Sequence, residues 1–180
     1  MADVTGVVLA LAVLLLVLIV LLVASVRTIR PYEAGLVIIF GSFRRTLGPG
    51  FHFVPLLSTV RRVDLRPRSI PIPPQTLATR EGALTEVAAT VRVRVVDPAR
   101  SVFASADWEA ETVSEGRRAV AAIVSGRTRE ALLRDPGTAG EAVNDLLREP
   151  LARWGIGPES VTLATRVPGA TVGGLESARP

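Results

Sequence analysis

The sequence predicts an α+β protein carried by one N-terminal transmembrane helix, and three observations point there. Residues 6–26 are apolar throughout, with no charge among them. Residues 85–96 alternate at period two, as a half-buried strand does. From residue 108 onward the apolar period lengthens to that of amphipathic helices.

In residues 6–26, sixteen of 21 positions are Leu, Val or Ile. At the per-residue insertion energies of these side chains, the run gains about 5 to 10 kcal/mol in a bilayer. A helix of this length spans about 30 Å, the thickness of a hydrocarbon core, and satisfies its own backbone. Val7, Leu11, Leu14, Leu15, Leu18, Leu22 and Val26 are the expected anchor residues. A cleaved signal peptide is the alternative. The acidic Met1-Ala2-Asp3 start, the length of the run and the poor Ala24-Ser25-Val26 cleavage site all weigh against it.

Residues 1–26 are thus assigned to the anchor, 27–33 to a juxtamembrane hinge, 34–167 to a globular domain and 168–180 to a disordered tail. The hinge at 27–31 is also compatible with a shallow, re-entrant anchor. Arg27 and Arg30 follow the run, whereas Asp3 precedes it, so the positive-inside rule places the domain in the cytoplasm of a single-pass cell-membrane protein.

Residues 34–40 are β-branched and end at Gly41, which predicts a buried strand. Gly48-Pro49-Gly50 predicts a turn, followed by an extended apolar segment over 51–57. Residues 60–72 alternate loosely, but Pro67, Pro71, Pro73 and Pro74 confine this stretch to a sheet edge or to irregular chain. A hairpin turn at 79–82 leads into the clearest strand, 85–96. There Val87, Ala89, Val91, Val93 and Val95 share one face, and Arg92 and Arg94 lie on the other as a solvated surface.

Helices follow at 108–125, 128–133 and 139–154. Val113, Val120, Ile123 and Val124 stripe the first. Ala142, Val143, Leu146, Leu147, Leu151 and Trp154 stripe the last, in which Pro150 predicts a kink or a split. Residues 159–167 return to a strand.

All 21 basic residues are Arg and there is no cysteine, which excludes disulfides, thiol catalysis, Cys-based zinc sites, a Walker lysine and Schiff-base chemistry. Residues 27–100 hold 12 Arg against five acids, while 101–180 hold nine against 11. A basic half directly behind an anchor suits anionic headgroups, and Arg27, Arg30, Arg44 and Arg45 are the candidate contacts. Nucleic-acid binding is not expected, because the basic half lacks interleaved aromatics and a reading helix. His52, the single histidine, has no metal or triad partner at a suitable spacing. Asp107, Glu109, Glu111 and Glu115 read as helix-capping and solvating acids. No active site, cofactor or metal is expected.

Taken in order, several strings form a recognisable set. They are Arg30-Pro31-Tyr32-Glu33-Ala34-Gly35-Leu36-Val37-Ile38-Ile39-Phe40-Gly41, then Leu47-Gly48-Pro49-Gly50-Phe51-His52-Phe53-Val54-Pro55, then Arg62-Val63-Asp64-Leu65-Arg66. Ile72-Pro73-Pro74-Gln75, Thr79-Arg80-Glu81-Gly82 and Arg153-Trp154-Gly155-Ile156 complete it. Behind an apolar N-terminus, this set resembles the SPFH (band 7; stomatin, prohibitin, flotillin) family, and its stomatin branch in particular.

The resemblance implies a curved antiparallel sheet with helices packed against it, held at a membrane surface. It further implies a non-enzymatic scaffold that self-associates and organises membrane proteins or lipids laterally. The alternative is a regulatory adaptor of a membrane-bound protease. Expected partners are the lipid bilayer, further copies of the chain as a homo-oligomer, and a membrane protease or channel. Family members usually continue into a long assembly helix. The dozen residues after Pro168 carry no heptads, so assembly into large cages is not expected, while smaller oligomers through the globular domain stay open.

Overall fold

In a computed structural model describing residues 2–55 and 58–166, the apolar run forms one uninterrupted helix, α1 (Ala2–Ala24). It stops at Ser25, whose N–H donates to the Leu21 and Leu22 carbonyls at 3.1 and 3.2 Å and whose Oγ donates to Leu21 at 2.9 Å. Local side-chain bonding of this kind closes the last turn. The expected helical run to residue 26 is therefore corrected. Val26 opens strand β1 (Val26–Ile29) and pairs with Phe53. Most of the expected hinge at 27–33 is likewise strand, because residues 27–29 continue the pairing and Glu33 opens β2 (Glu33–Ile39). Only a turn is left between them, closed by the Glu33 N–H on the Arg30 carbonyl at 3.1 Å, with Tyr32 at φ 67°.

The chain divides into two compact units, Met1–Arg66 and Pro67–Pro180, so the region read as one domain over 34–167 is shared between them. The tail expected at 168–180 lies outside the described residues.

The first unit adds β3 (Ser42–Leu47), β4 (Gly50–Phe53) and β5 (Ser58–Asp64). Strands β3-β2-β5 form an antiparallel sheet, and β1 and β4 form a separate ribbon. Ile29, Val37, Leu47 and Val54 make the core, with Ile39 and Val60 packed against it. Gly35 is needed there, since a Cβ at this position would meet Ile29 Cδ1 at 2.8 Å. Phe40 and Gly41, at φ 49° and 79°, form the two-residue loop between β2 and β3, and two positive φ values are what a type I′ hairpin requires.

The second unit contains the sheet β6 (Arg68–Ala78), β7 (Leu84–Val95) and β8 (Ile156–Arg166), antiparallel and in that order. Strand β7 is central, and its Val87, Ala89, Val91, Val93 and Val95 are all buried. The proline-rich β6 lies at the edge, as its missing N–H donors require, and Pro73 and Pro74 fall in a register shift between Ile72 and Gln75. Arg92 and Arg94 face outward beside Glu159, at 3.2 and 3.6 Å.

Four helices follow β7: α2 (Pro98–Phe103), α3 (Trp108–Ser125), α4 (Arg129–Arg134) and α5 (Pro136–Arg153). Helices α3 and α5 pack against the sheet, burying Val120, Val124, Val143, Leu147 and Leu151, whereas Leu146 of the expected stripe is exposed. The side chains of Asp97, Asp107, Thr128 and Asp135 accept the first free N–H groups of the four helices. Helix α5 begins earlier than expected, because Pro136 suits a first turn in which the N–H has no intrahelical partner. It also runs unsplit through Pro150, which lies in its last turn.

A Cβ on Gly140 would lie 2.4 Å from the Val161 carbonyl oxygen, a backbone atom that cannot step aside. Gly140→Ala is expected to destabilise the second unit by about 2 kcal/mol, the scale of an overpacked core. The exposed Gly137→Ala should stay within about 1 kcal/mol of wild type. Unfolding followed through Trp108 and Trp154, which both lie in this unit, checks the pair.

Asp135 has its carboxyl held below the usual carboxylate value, first by the Thr138 hydroxyl and then by the Thr138 backbone N–H. Its capping contribution is complete above the ordinary carboxylate range and disappears as pH falls through the lowered folded value. Asp135→Asn should therefore flatten the acid limb of the same unfolding curve.

Candidate membrane-contact site

The apolar part of α1, Gly6–Ala24, has no buried side chains, so 19 residues of mean hydropathy 3.6 are presented to their surroundings on every face. In water this would be a severe exposure of apolar area; in hydrocarbon it is the ordinary state of a spanning helix. Val7, Leu11, Leu14, Leu15, Leu18 and Leu22 all lie on this exposed surface. Val26, the seventh expected anchor residue, lies in β1 instead.

The ribbon that follows is two-faced. Directly opposed residues share a face, so Val26, Thr28, Phe51 and Phe53 project together, and Arg27, Ile29 and His52 project to the other side. Ile29 is buried in the core on its side. On the opposite side Phe51 is 80% exposed and Phe53 62%, an aromatic pair immediately behind the apolar helix. Phe lacks the polar tip that concentrates Tyr and Trp at the membrane–water boundary, but its apolar ring partitions favourably into a bilayer. Phe40, at the tip of the β2–β3 loop, is also exposed.

The four candidate headgroup arginines separate on the fold. Arg27 sits in β1 opposite His52, and Arg30 in the exposed turn before β2. Arg44 is the unpaired residue where the β2–β3 register shifts after Val37. Arg45 donates to the Phe53 carbonyl at 3.0 Å, which ties β3 to the ribbon. Arg62 on β5, absent from the sequence-based candidates, joins Arg27 in lining one cleft. Its signal was the loose alternation of β5, which the prolines that follow obscured. His52 Nε2 bonds the Gly48 carbonyl at 2.9 Å, a turn-closing contact. The acids at the start of α3 are engaged locally: Asp107 caps it, Glu109 pairs with Arg68 at 2.8 Å, and Glu111 accepts from Ser105. Among the described residues no three His, Asp or Glu side chains converge as metal ligands would.

The model of the SPFH domain / band 7 family matches residues 27–172. The chain belongs to the SPFH/band 7 family. The matched region starts just after α1 and takes in both compact units. Among curated proteins, stomatin-like protein 1 of Mus musculus is 29% identical over 158 residues, covering 87% of this chain and 40% of its own length. The Homo sapiens protein of that name is 30% identical over 145 residues, covering 78% and 35%. A stomatin homolog of Pyrococcus horikoshii is 23% identical over 146 residues, covering 81% and 55%. This SPFH chain therefore spans about half or less of the length of these relatives.

If α1 carries the membrane attachment, removing residues 6–24 while keeping Ser25 and Val26 should leave the ribbon paired. The shortened chain is expected in the supernatant after a high-salt wash of membranes, and the full chain in the pellet. Fractionation followed by immunodetection reads both.

Proposed function

We propose that this SPFH protein is a membrane-anchored, non-enzymatic stomatin-like scaffold that self-associates and organises neighbouring membrane proteins or lipids. The observation that carries this reading is a fully exposed apolar helix joined by one residue, Ser25, to the first strand of an SPFH-type fold. A domain so joined stays at the bilayer surface and moves laterally with its lipids. The Phe51 and Phe53 rings then lie in the interfacial layer, with Arg27, Arg30, Arg44 and Arg45 available to headgroups. Arg27 and Arg30 behind the helix, against Asp3 before it, favour a cytoplasmic domain.

Crosslinking in native membranes, followed by mass spectrometry, tests the scaffold reading. Adducts between copies of the chain are expected to dominate, at positions on the globular units. A membrane protease as the dominant adduct, with no adducts between copies, would contradict the scaffold in favour of a protease adaptor.

A further inference from the structure

We propose that the cleft between strands β1 and β5 binds the phosphate group of an anionic phospholipid. The proposal rests on the reading of α1 as a bilayer anchor and adds a ligand site to it. The cleft has a volume of about 470 Å³ and is lined by Arg27, Ile29, Ser58, Thr59, Val60 and Arg62. Its floor is apolar, because Ile29 and Val60 belong to the core of the first unit. Its walls are cationic. Arg27 follows the face of β1 that carries Ile29, and Arg62 follows the face of β5 that carries Val60, so two arginines from different strands meet at one opening.

Neither arginine has a carboxylate within ion-pair distance among the described residues, unlike Arg68, Arg92, Arg100 and Arg118. Two acids share the face of Arg62: Asp64, two residues along β5, and, diagonal across the β2–β5 pairing, Glu33. Glu33 forms no ion pair with Arg62, and its Oε2 is buried without a hydrogen-bond partner. Arg62 donates to the Thr28 carbonyl at 3.4 Å, which steadies the guanidinium beside β1 and leaves most of its N–H groups for a ligand. The Ser58 hydroxyl proton is committed to the Pro55 carbonyl. The donors left in the cleft are the two guanidiniums, whose planar forks are matched to the oxygens of a tetrahedral oxyanion.

Depth selects the source of that oxyanion. Arg27 is three residues beyond the end of α1, and the 19 apolar residues before it fill the hydrocarbon thickness at about 28 Å. The cleft therefore opens among headgroups, where phosphodiesters are concentrated and free phosphate is not.

The full chain in neutral detergent can be titrated with short-chain phosphatidylglycerol, short-chain phosphatidylcholine and inorganic phosphate. Phosphatidylglycerol is expected to bind at least tenfold more tightly than either of the others. Removing both charges, in Arg27→Gln/Arg62→Gln, should weaken it roughly 30-fold, and Arg27→Gln alone about fivefold. Among the described residues the Arg27 side chain makes no hydrogen bond that its loss would break, so the single variant remains informative if the double variant unfolds. Arg92→Gln/Arg94→Gln removes the same charge from the second unit and should change affinity less than twofold. Unchanged binding in Arg27→Gln, equal loss in the Arg92/Arg94 variant, or inorganic phosphate binding as tightly as the lipid would each overturn the proposal. Failure of the anchor reading shows separately, as wild-type protein released from vesicles by high salt. The Arg27/Arg62 variant is expected to stay in the pellet.

Discussion

The structure turns on the absence of slack between an apolar helix exposed on every face and a strand that belongs to a fold. Helix α1 ends at Ala24, Ser25 caps it, and Val26 already pairs with Phe53. Three residues later Ile29 fills the space left by Gly35 and enters the core. A flexible linker would let the globular region sample any height above the membrane. One capping residue permits almost none, so the depth of the helix dictates the depth of the ribbon. That coupling explains why Val26, Phe51 and Phe53 can remain uncovered on one face. Their cost in water falls if that face meets the bilayer, into which apolar side chains partition favourably.

Electrostatics at this junction follow from the same coupling. Elsewhere on the fold, several exposed arginines lie beside carboxylates, as Arg68 does with Glu109 and Arg118 with Glu115, although others among the described residues, such as Arg80 and Arg117, do not. Such pairs are worth little individually, but they leave local charge balanced. Arg27 and Arg30, nearest α1, pair with no carboxylate among the described residues, and on the proposed reading anionic lipid would supply that charge. The Arg45 guanidinium serves the fold as well, bridging β3 to the Phe53 carbonyl.

Much of the second unit was legible because its residues obey one period at a time. Strand β7 alternates without exception, and the prolines of β6 declare an edge that the sheet order bears out. The starts of α3 and α4 carried readable caps in Asp107 and Thr128. Helix α5 was misread at its start because Asp135-Pro136-Gly137 looks like a stop, although Asp135 ends α4 and begins α5 at once. The first unit was less legible. Strands β1 and β3 are short and mix Arg with Val, Phe and Thr, so neither shows a period, and β1 pairs with the non-adjacent β4. The membrane run concealed its own end, since Val26 is as apolar as the helix before it. Arg62 was not legible for a related reason: its neighbour in the cleft, Arg27, lies 35 positions away on a strand of the separate β1–β4 ribbon, and only the packing of ribbon against sheet brings the two together.

The depth of the ribbon in the bilayer is the quantity that the proposed placement of the domain depends on. Placing a single tryptophan at Phe53, in a chain with Trp108 and Trp154 changed to Phe, allows it to be read in vesicles with brominated lipids. Strong quenching by lipids brominated near the headgroup end of the chain, with protection from aqueous iodide, is the predicted result. Full accessibility to iodide with no quenching by brominated lipid would mean that the ribbon stands clear of the membrane, and would contradict the account.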